Sequence, residues 1–295
     1  MIRKSYAKTV FDICNILLMV AFAFVCLAPI AHVVFMSISE PSIVNTLSGI
    51  MLWPMGEVSL NGYKLILRNP NIITGYLNTL FYVCAGTSIS ALFTLIAAYV
   101  LSRRRMKYRN VLMFIVTFTM LFSGGLIPFY LVVRNLGLLN SRLSLLFPTA
   151  LSVMNIIIMR TAFLTVPDSL EESARIDGAN DFTILFRILL PVVKATFAVI
   201  ILFYAVGQWN GWFFASIFIK DRALYPLQLI LREILLQNQT ASMSDATQLI
   251  SDNLDLYKPL IKYATIVVST APILCVYPFV QKYFVKGVMI GSIKG

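Results

Sequence analysis

The chain is short of charge. Asp, Glu, Lys and Arg make up only 13% of its 295 residues, against roughly 25% in a soluble globular domain. With 59% hydrophobic residues and a mean hydropathy of +0.82, a water-soluble globule is excluded. Histidine is nearly absent: His32 stands alone, and no carboxylates cluster on the apolar stretches, which leaves little for metal or acid–base chemistry. The four cysteines (Cys14, Cys26, Cys84, Cys275) fall in apolar stretches without close spacing and indicate neither a metal site nor a disulfide framework. No G-x-x-x-x-G-K-[ST] occurs, and no lysine follows the pair Gly124-Gly125. The chain therefore lacks a phosphate-cradling loop, and we expect no enzyme and no cofactor of its own. Internal repeats and low-complexity tracts are also missing.

What is present is a series of long apolar blocks. A helix needs about 20 apolar residues to cross a bilayer core, and six stretches approach or exceed that length: Phe11–Met36, Asn78–Leu101, Val111–Val133, Leu143–Leu164, Ala195–Ile219 and Tyr263–Val280. The expected fold is an all-α membrane protein of six transmembrane helices. It forms one domain over residues 1–295, with a core over 76–283 preceded by an N-terminal helix over 11–36. The first block resembles a signal peptide, with Arg3, Lys4 and Lys8 before it, but it is too long and no small-x-small cleavage site follows. We read it as a retained helix.

The net charge of +11 is placed for topology rather than for nucleic acid. Arg103, Arg104, Arg105, Lys107 and Arg109 fill the gap between the second and third blocks, and Lys282, Lys286 and Lys294 lie in the tail. Basic loops stay on the cytoplasmic side, so both termini are expected to be cytoplasmic in a plasma-membrane protein. His32, near the outer end of the first block, reads as a packed or interfacial residue.

One inner loop is longer than anchoring requires. Residues Thr165–Lys194 mix both charge signs. Pro167 halts the preceding block, and Ser169 with Glu172 has the S-x-x-E spacing of a capping box. Leu170, Ala174 and Asp177 share a face at helical spacing, and Gly178 suits a C-cap. Asn180 or Asp181 can cap a second short helix, and Pro191 permits a bend back into the membrane. The expected product is a helix–turn–helix along the cytoplasmic surface.

Glu172-Ser173-Ala174, Gly178, Ile188, Leu190 and Pro191 resemble the EAA signature of ABC importer permeases: E-A-A, three residues, G, nine residues, I-x-L-P. Ser173 for the second alanine is the one departure, and Asp177-Gly178-Ala179 resembles the D-G-A common within that signature. The resemblance spans nearly the whole chain and is to the type I, carbohydrate branch, similar to the MalG type. Within that branch Gly124–Ser141 and Gln281–Gly295 are similar to the LplC/YtcP kind. It implies a type I importer transmembrane fold whose coupling helix seats in a groove on a separate ATPase. Glu171 or Glu172 would pair with that partner, and Ala174 and Gly178 would allow close approach. It also implies a second, different permease chain, two ATPase subunits that bind ATP and Mg²⁺, and an extracytoplasmic solute-binding protein. The tail residues Gly291, Lys294 and Gly295 would enter the ATPase interface, and the outer loop Lys220–Lys262 would reach into the binding protein.

Candidates for the cargo path are the polar and aromatic residues of the fifth block: Tyr204, Gln208, Trp209, Asn210 and Trp212. Amides can bond sugar hydroxyls and aromatic faces can stack on sugar rings, which suits an oligosaccharide. Helix packing and interfacial anchoring compete for the same residues. Asn78 and Tyr130, with Tyr82, are weaker candidates. An ion-coupled transporter would carry intramembrane acids or histidines, and the blocks hold almost none.

Overall fold

The computed structural model describes residues 6–47, 49–237 and 257–275, and among them there is helix but no strand. In chain order the elements are α1 (Tyr6–Ile38), α2 (Pro41–Thr46), α3 (Asn61–Arg68), α4 (Pro70–Ser102), α5 (Arg109–Leu121), α6 (Leu126–Asn135) and α7 (Leu143–Leu146). They continue with α8 (Val153–Leu164), α9 (Asp168–Ile176), α10 (Asp181–Val192), α11 (Lys194–Trp209), α12 (Phe213–Phe218) and α13 (Leu227–Gln237). Residues 257–275 form α14. The chain divides into two compact units, one of Met1–Ile72 with Leu231–Ala271 and one of Ile73–Ile230 with Pro272–Gly295.

In the first unit α1 spans the first apolar block as one helix. Its most apolar window has no buried residue, so side chains such as Phe11, Leu17, Phe22 and Leu27 stand open on every face, the pattern of a helix solvated by hydrocarbon. Its end is pinned instead: Met36 packs with Val44, Met51 and Leu260. His32 is a packed residue, its Nδ1 accepting the Met51 N–H at 2.9 Å and its ring lying edge-on to Tyr263 at 5.6 Å.

In the second unit α4 is the long, unbroken element. The α1 and α4 helices are long and apolar enough to cross a membrane alone, and up to five crossings result if each of three bent pairs is one span. The apolar blocks expected as single helices are thus broken. The third bends by 116° between α5 and α6, where Gly125 takes φ +84°, a conformation that costs glycine least. The fifth breaks at Asn210-Gly211, between α11 and α12. The fourth divides into α7 and α8, with Pro148 between them and the Ser152 hydroxyl capping α8. The sixth is helical as far as residue 275, and the rest of it lies outside the described residues. The core of this unit joins α4, α8, α9, α10 and α11 through Leu95, Ile156, Phe163, Ala174, Leu185 and Ile200.

Candidate functional site

The Thr165–Lys194 segment folds as two helices. Here α9 starts directly after Pro167, with no side-chain cap. Ser169 already sits in helix, so the expected capping box with Glu172 does not form: a capping residue must stand outside the helix with an extended backbone. Asp168 and Glu171 fill the first turn instead, where negative charge complements the helix dipole. The far end is closed as expected. Gly178 has φ +84°; its N–H donates to Arg175 O at 3.1 Å, and the Ala179 N–H donates to Ala174 O at 2.9 Å. That pair of bonds is a Schellman motif. The Asn180 side chain then caps α10 by accepting the Thr183 N–H at 2.8 Å. A π-helical turn over Ile184–Leu189 follows. The chain turns through 92° between α10 and α11, just past Pro191.

The two glutamates are not equivalent. Glu171 is sheltered and accepts from the Arg103 guanidinium and from Arg175 Nη2 at 2.9 Å. Arg175 also pairs with Asp181, which accepts from the Tyr99 hydroxyl at 3.1 Å. Burial pushes the Glu171 carboxyl up, but the hydrogen bonds from Arg175 and Arg103 outweigh it and hold the group below the ordinary carboxylate range. The Arg175 hydrogen bond likewise holds Asp181 down. Glu172, by contrast, is exposed and has no ion-pair partner among the described residues. Ser173, Asp177 and Gly178 are exposed as well. Ala174 is 7% exposed and packs in the chain's own core, while Leu170 and Asp177 face out, so the expected common face of these three is split. Arg103, expected as a topology anchor, is a partner of α9. Neither arginine was marked in the sequence as a partner of Glu171: the i,i+4 spacing of Glu171 and Arg175 was the signal for one, whereas Arg103, 68 positions before Glu171, left none.

A cavity of about 360 Å³ opens at the break between α11 and α12, and its lining brings together Tyr204, Gln208, Asn210 and Trp212. The Tyr204 hydroxyl is committed within the protein, 2.6 Å from Thr94 Oγ1 and accepting the Ser152 N–H at 3.0 Å. The Gln208 amide lies against Gly86, where a Cβ would come within 2.7 Å of Nε2. Asn210 donates back to Val206 O at 3.0 Å. Trp209 is turned away from the cavity: it is 8% exposed, lies edge-on to Tyr76 at 6.3 Å, and its indole N–H finds no acceptor among the described residues.

Asn78 and Tyr130 do not line this cavity. Tyr130 stacks on Phe218 at 6.3 Å. Asn78 is 3% exposed and fully engaged, donating to Ala223 O at 2.7 Å and to Tyr225 O at 3.1 Å while accepting from Arg142 at 3.1 Å. Beside it the Tyr82 hydroxyl donates to Leu224 O at 2.8 Å. A second asparagine that the sequence did not mark, Asn140, accepts the N–H groups of Lys220 and Asp221 at 2.9 and 2.8 Å. Both asparagines therefore clamp the 218–226 segment. Asn78→Ala removes the side-chain hydrogen bonds to the Ala223 and Tyr225 carbonyls, each worth about 0.5–1.5 kcal/mol net. We expect it to lower the unfolding temperature of the purified protein in detergent.

Gly291, Lys294 and Gly295 lie outside the described residues, as does 238–256 of the Lys220–Lys262 loop. No group of three or more metal-ligating side chains exists among the described residues.

Comparison with known proteins gives one answer. The family described as "binding-protein-dependent transport system inner membrane component" matches residues 90–290. Protein LplC of Bacillus subtilis (strain 168) is 40% identical over 294 residues, covering 99% of this chain and 98% of its own. The polygalacturonan/rhamnogalacturonan transport system permease protein YtcP of the same organism is 42% identical over 274 residues, covering 93% and 94%. A chain in the crystal structure of a bacterial ABC transporter involved in the import of the acidic polysaccharide alginate superposes with a TM-score of 0.87 at 35% identity, covering 96% of this chain and all of that one.

Proposed function

Because the chain belongs to the family of binding-protein-dependent transport system inner membrane components, we propose a division of labour in which α9 takes force from a separate ATPase and the Gln208 cavity passes the cargo. The chain is the permease subunit of an ABC importer of oligosaccharides, an inner-membrane protein of type I fold and not an enzyme. Such an importer works with a partner permease, an ATPase and a binding protein. The finer arrangement we propose is six crossings with both termini in the cytoplasm, a heterodimeric permease, and two ATPase subunits that hold the ATP and Mg²⁺.

The observation that carries the coupling role is the split between the glutamates. Glu171 is tied inward by two arginines, so Glu172 is the one free to meet a basic residue of the ATPase. A short helix stopped at its far end by a Schellman turn transmits rigid-body movement better than a flexible strand. Glu172, Ser173, Asp177, Gly178 and Ala179 form the contact region, and Pro191 sets the bend behind it. Of the cavity lining, Gln208, Asn210 and Trp212 offer amide and aromatic groups suited to sugar, and Tyr204 supports the wall.

For the cargo we propose an oligosaccharide containing uronic acids. The support is the cargo of the relatives, one a polygalacturonan/rhamnogalacturonan transport permease and one part of a transporter involved in import of the acidic polysaccharide alginate. The test is to express the chain with its partner permease, ATPase and binding protein, and to follow uptake of trigalacturonate and maltotriose into vesicles. We expect the ATPase to co-purify, Glu172→Lys to weaken that association, and trigalacturonate to be carried. Uptake of maltotriose alone would rule out the acidic cargo, and failure of the ATPase to co-purify would rule out the coupling role.

A further inference from the structure

We propose that Arg103 is a positioning residue that locks α9 to the inner end of α4, so that displacement of α9 by the ATPase reaches the cavity wall through α4. The inference rests on the reading of α9 as the ATPase contact and adds the route by which the movement travels.

Five hydrogen bonds converge where α4 ends. The carbonyl of Leu101 accepts from Arg160 Nε of α8 at 3.0 Å. The Ser102 hydroxyl donates to Tyr99 O at 2.7 Å and accepts from Arg103 Nε at 3.0 Å. The rest of the Arg103 guanidinium binds Glu171 of α9, and the Tyr99 hydroxyl binds Asp181 of α10. Arg103 also lies 5.0 Å over the Tyr99 ring, a cation–π placement that removes freedom from the side chain. The Arg103 and Glu171 side chains are 15% and 13% exposed, so water screens their attraction much less than that of a surface pair. The adjacent residue supplies an internal contrast. Arg104 pairs with Asp168 at 3.5 Å, but with 82% and 58% exposure, a solvated pair of the kind worth little.

The backbone on either side of α9 is a poor transmitter. A bend of 73° separates α9 from α8, and the left-handed Gly178 separates it from α10. In contrast α4 runs 33 residues without a break. On its way it meets the cavity lining twice, through the Thr94–Tyr204 hydroxyl pair and through Gly86 against Gln208. A displacement held at Arg103 therefore moves the floor on which Gln208 and Tyr204 rest, over a helical distance of about 25 Å.

The test uses the whole importer, with Cys14, Cys26, Cys84 and Cys275 changed to Ser and Asn210→Cys as reporter at the cavity. The rate of maleimide labelling at that cysteine is measured with and without ATP plus vanadate. We expect trapping to change the rate roughly fivefold or more in the reporter background. Arg103→Gln should abolish most of that change while the ATPase still co-purifies, Arg103→Lys should restore much of it, and Arg104→Gln should leave it intact. Three results would overturn the proposal: no response in the reporter background, equal loss from Arg103→Gln and Arg104→Gln, or loss of ATPase co-purification with Arg103→Gln that Arg103→Lys does not repair. Failure of the coupling reading itself is distinguished by an ATPase that does not co-purify even with the native α9.

Discussion

Gly178→Val will strip the ATPase from the complex, lowering its co-purification about tenfold or more, and the order of a substitution series will say why. Gly178 holds φ +84°, and a Cβ built on it meets nothing within 4 Å. The penalty within this chain is therefore backbone strain and not collision. An L-residue in the left-handed region loses roughly 1–2 kcal/mol, and a β-branched one more. Opening the turn also releases the bonds from Gly178 to Arg175 and from Ala179 to Ala174. A nine-residue helix is marginal without its ends tied down, so the surface offered to the ATPase loses its shape; 1.4 kcal/mol is already tenfold in an equilibrium. If strain decides, co-purification falls in the order Gly, Asn, Ala, Val, because asparagine tolerates the left-handed region better than alanine. If the partner's close approach decides, alanine will be better tolerated than asparagine. A Gly178→Val protein that retains its ATPase would show that the shape of α9 is not what the partner reads.

Those parts of the site that were legible in the sequence are the parts made by neighbours in sequence. Gly178 as a helix stop, Asn180 as a cap and Pro191 ahead of a bend all act within a few residues, and each stands in the structure as expected. The capping box failed because the same S-x-x-E spacing falls inside a helix whenever the first turn starts earlier, and after Pro167 it starts two residues earlier. Long-range partners were invisible. Nothing in a basic run of five says that Arg103 alone turns inward onto Glu171 while Arg104 stays in water. Asn78 misled for a related reason: a polar side chain in an apolar block must be satisfied, but composition does not say whether cargo or backbone satisfies it. Its partners, Ala223 and Tyr225, lie 145 and 147 positions away. The breaks at Gly124-Gly125 and Asn210-Gly211 did carry turn signals, yet the apolar residues on both sides outweighed them in a reading by span length. Both pairs sit just past the end of a straight helix.

The second large effect concerns the cavity. Gly86→Leu should abolish sugar uptake, by more than about tenfold, while leaving the ATPase bound. Unlike Gly178, this glycine lies in the middle of a regular helix, so its backbone would accept any L-residue except proline and the constraint is contact. A Cβ here comes within 2.7 Å of Gln208 Nε2 and 2.8 Å of its Cδ, both at the far end of a flexible side chain. Alanine can thus be admitted by swinging the amide away from α4, at little cost to the fold. Leucine must also place its branched end where the Gln208 stem now packs, and small-to-large changes in packed sites cost about 1–3 kcal/mol. The displaced amide has the cavity of about 360 Å³ beside it and will move there, occupying the space proposed for sugar. Gly86→Ala should accordingly lower uptake partly, and adding Gln208→Ala should recover some of the Gly86→Leu loss by removing the displaced group. Arg103 and α9 are about 25 Å along the helix from Gly86, so co-purification of the ATPase should not change. Uptake at the native rate by the Gly86→Leu protein, measured in vesicles with trigalacturonate, would mean that the sugar travels by another route and that Gln208 serves only to hold α11 against α4.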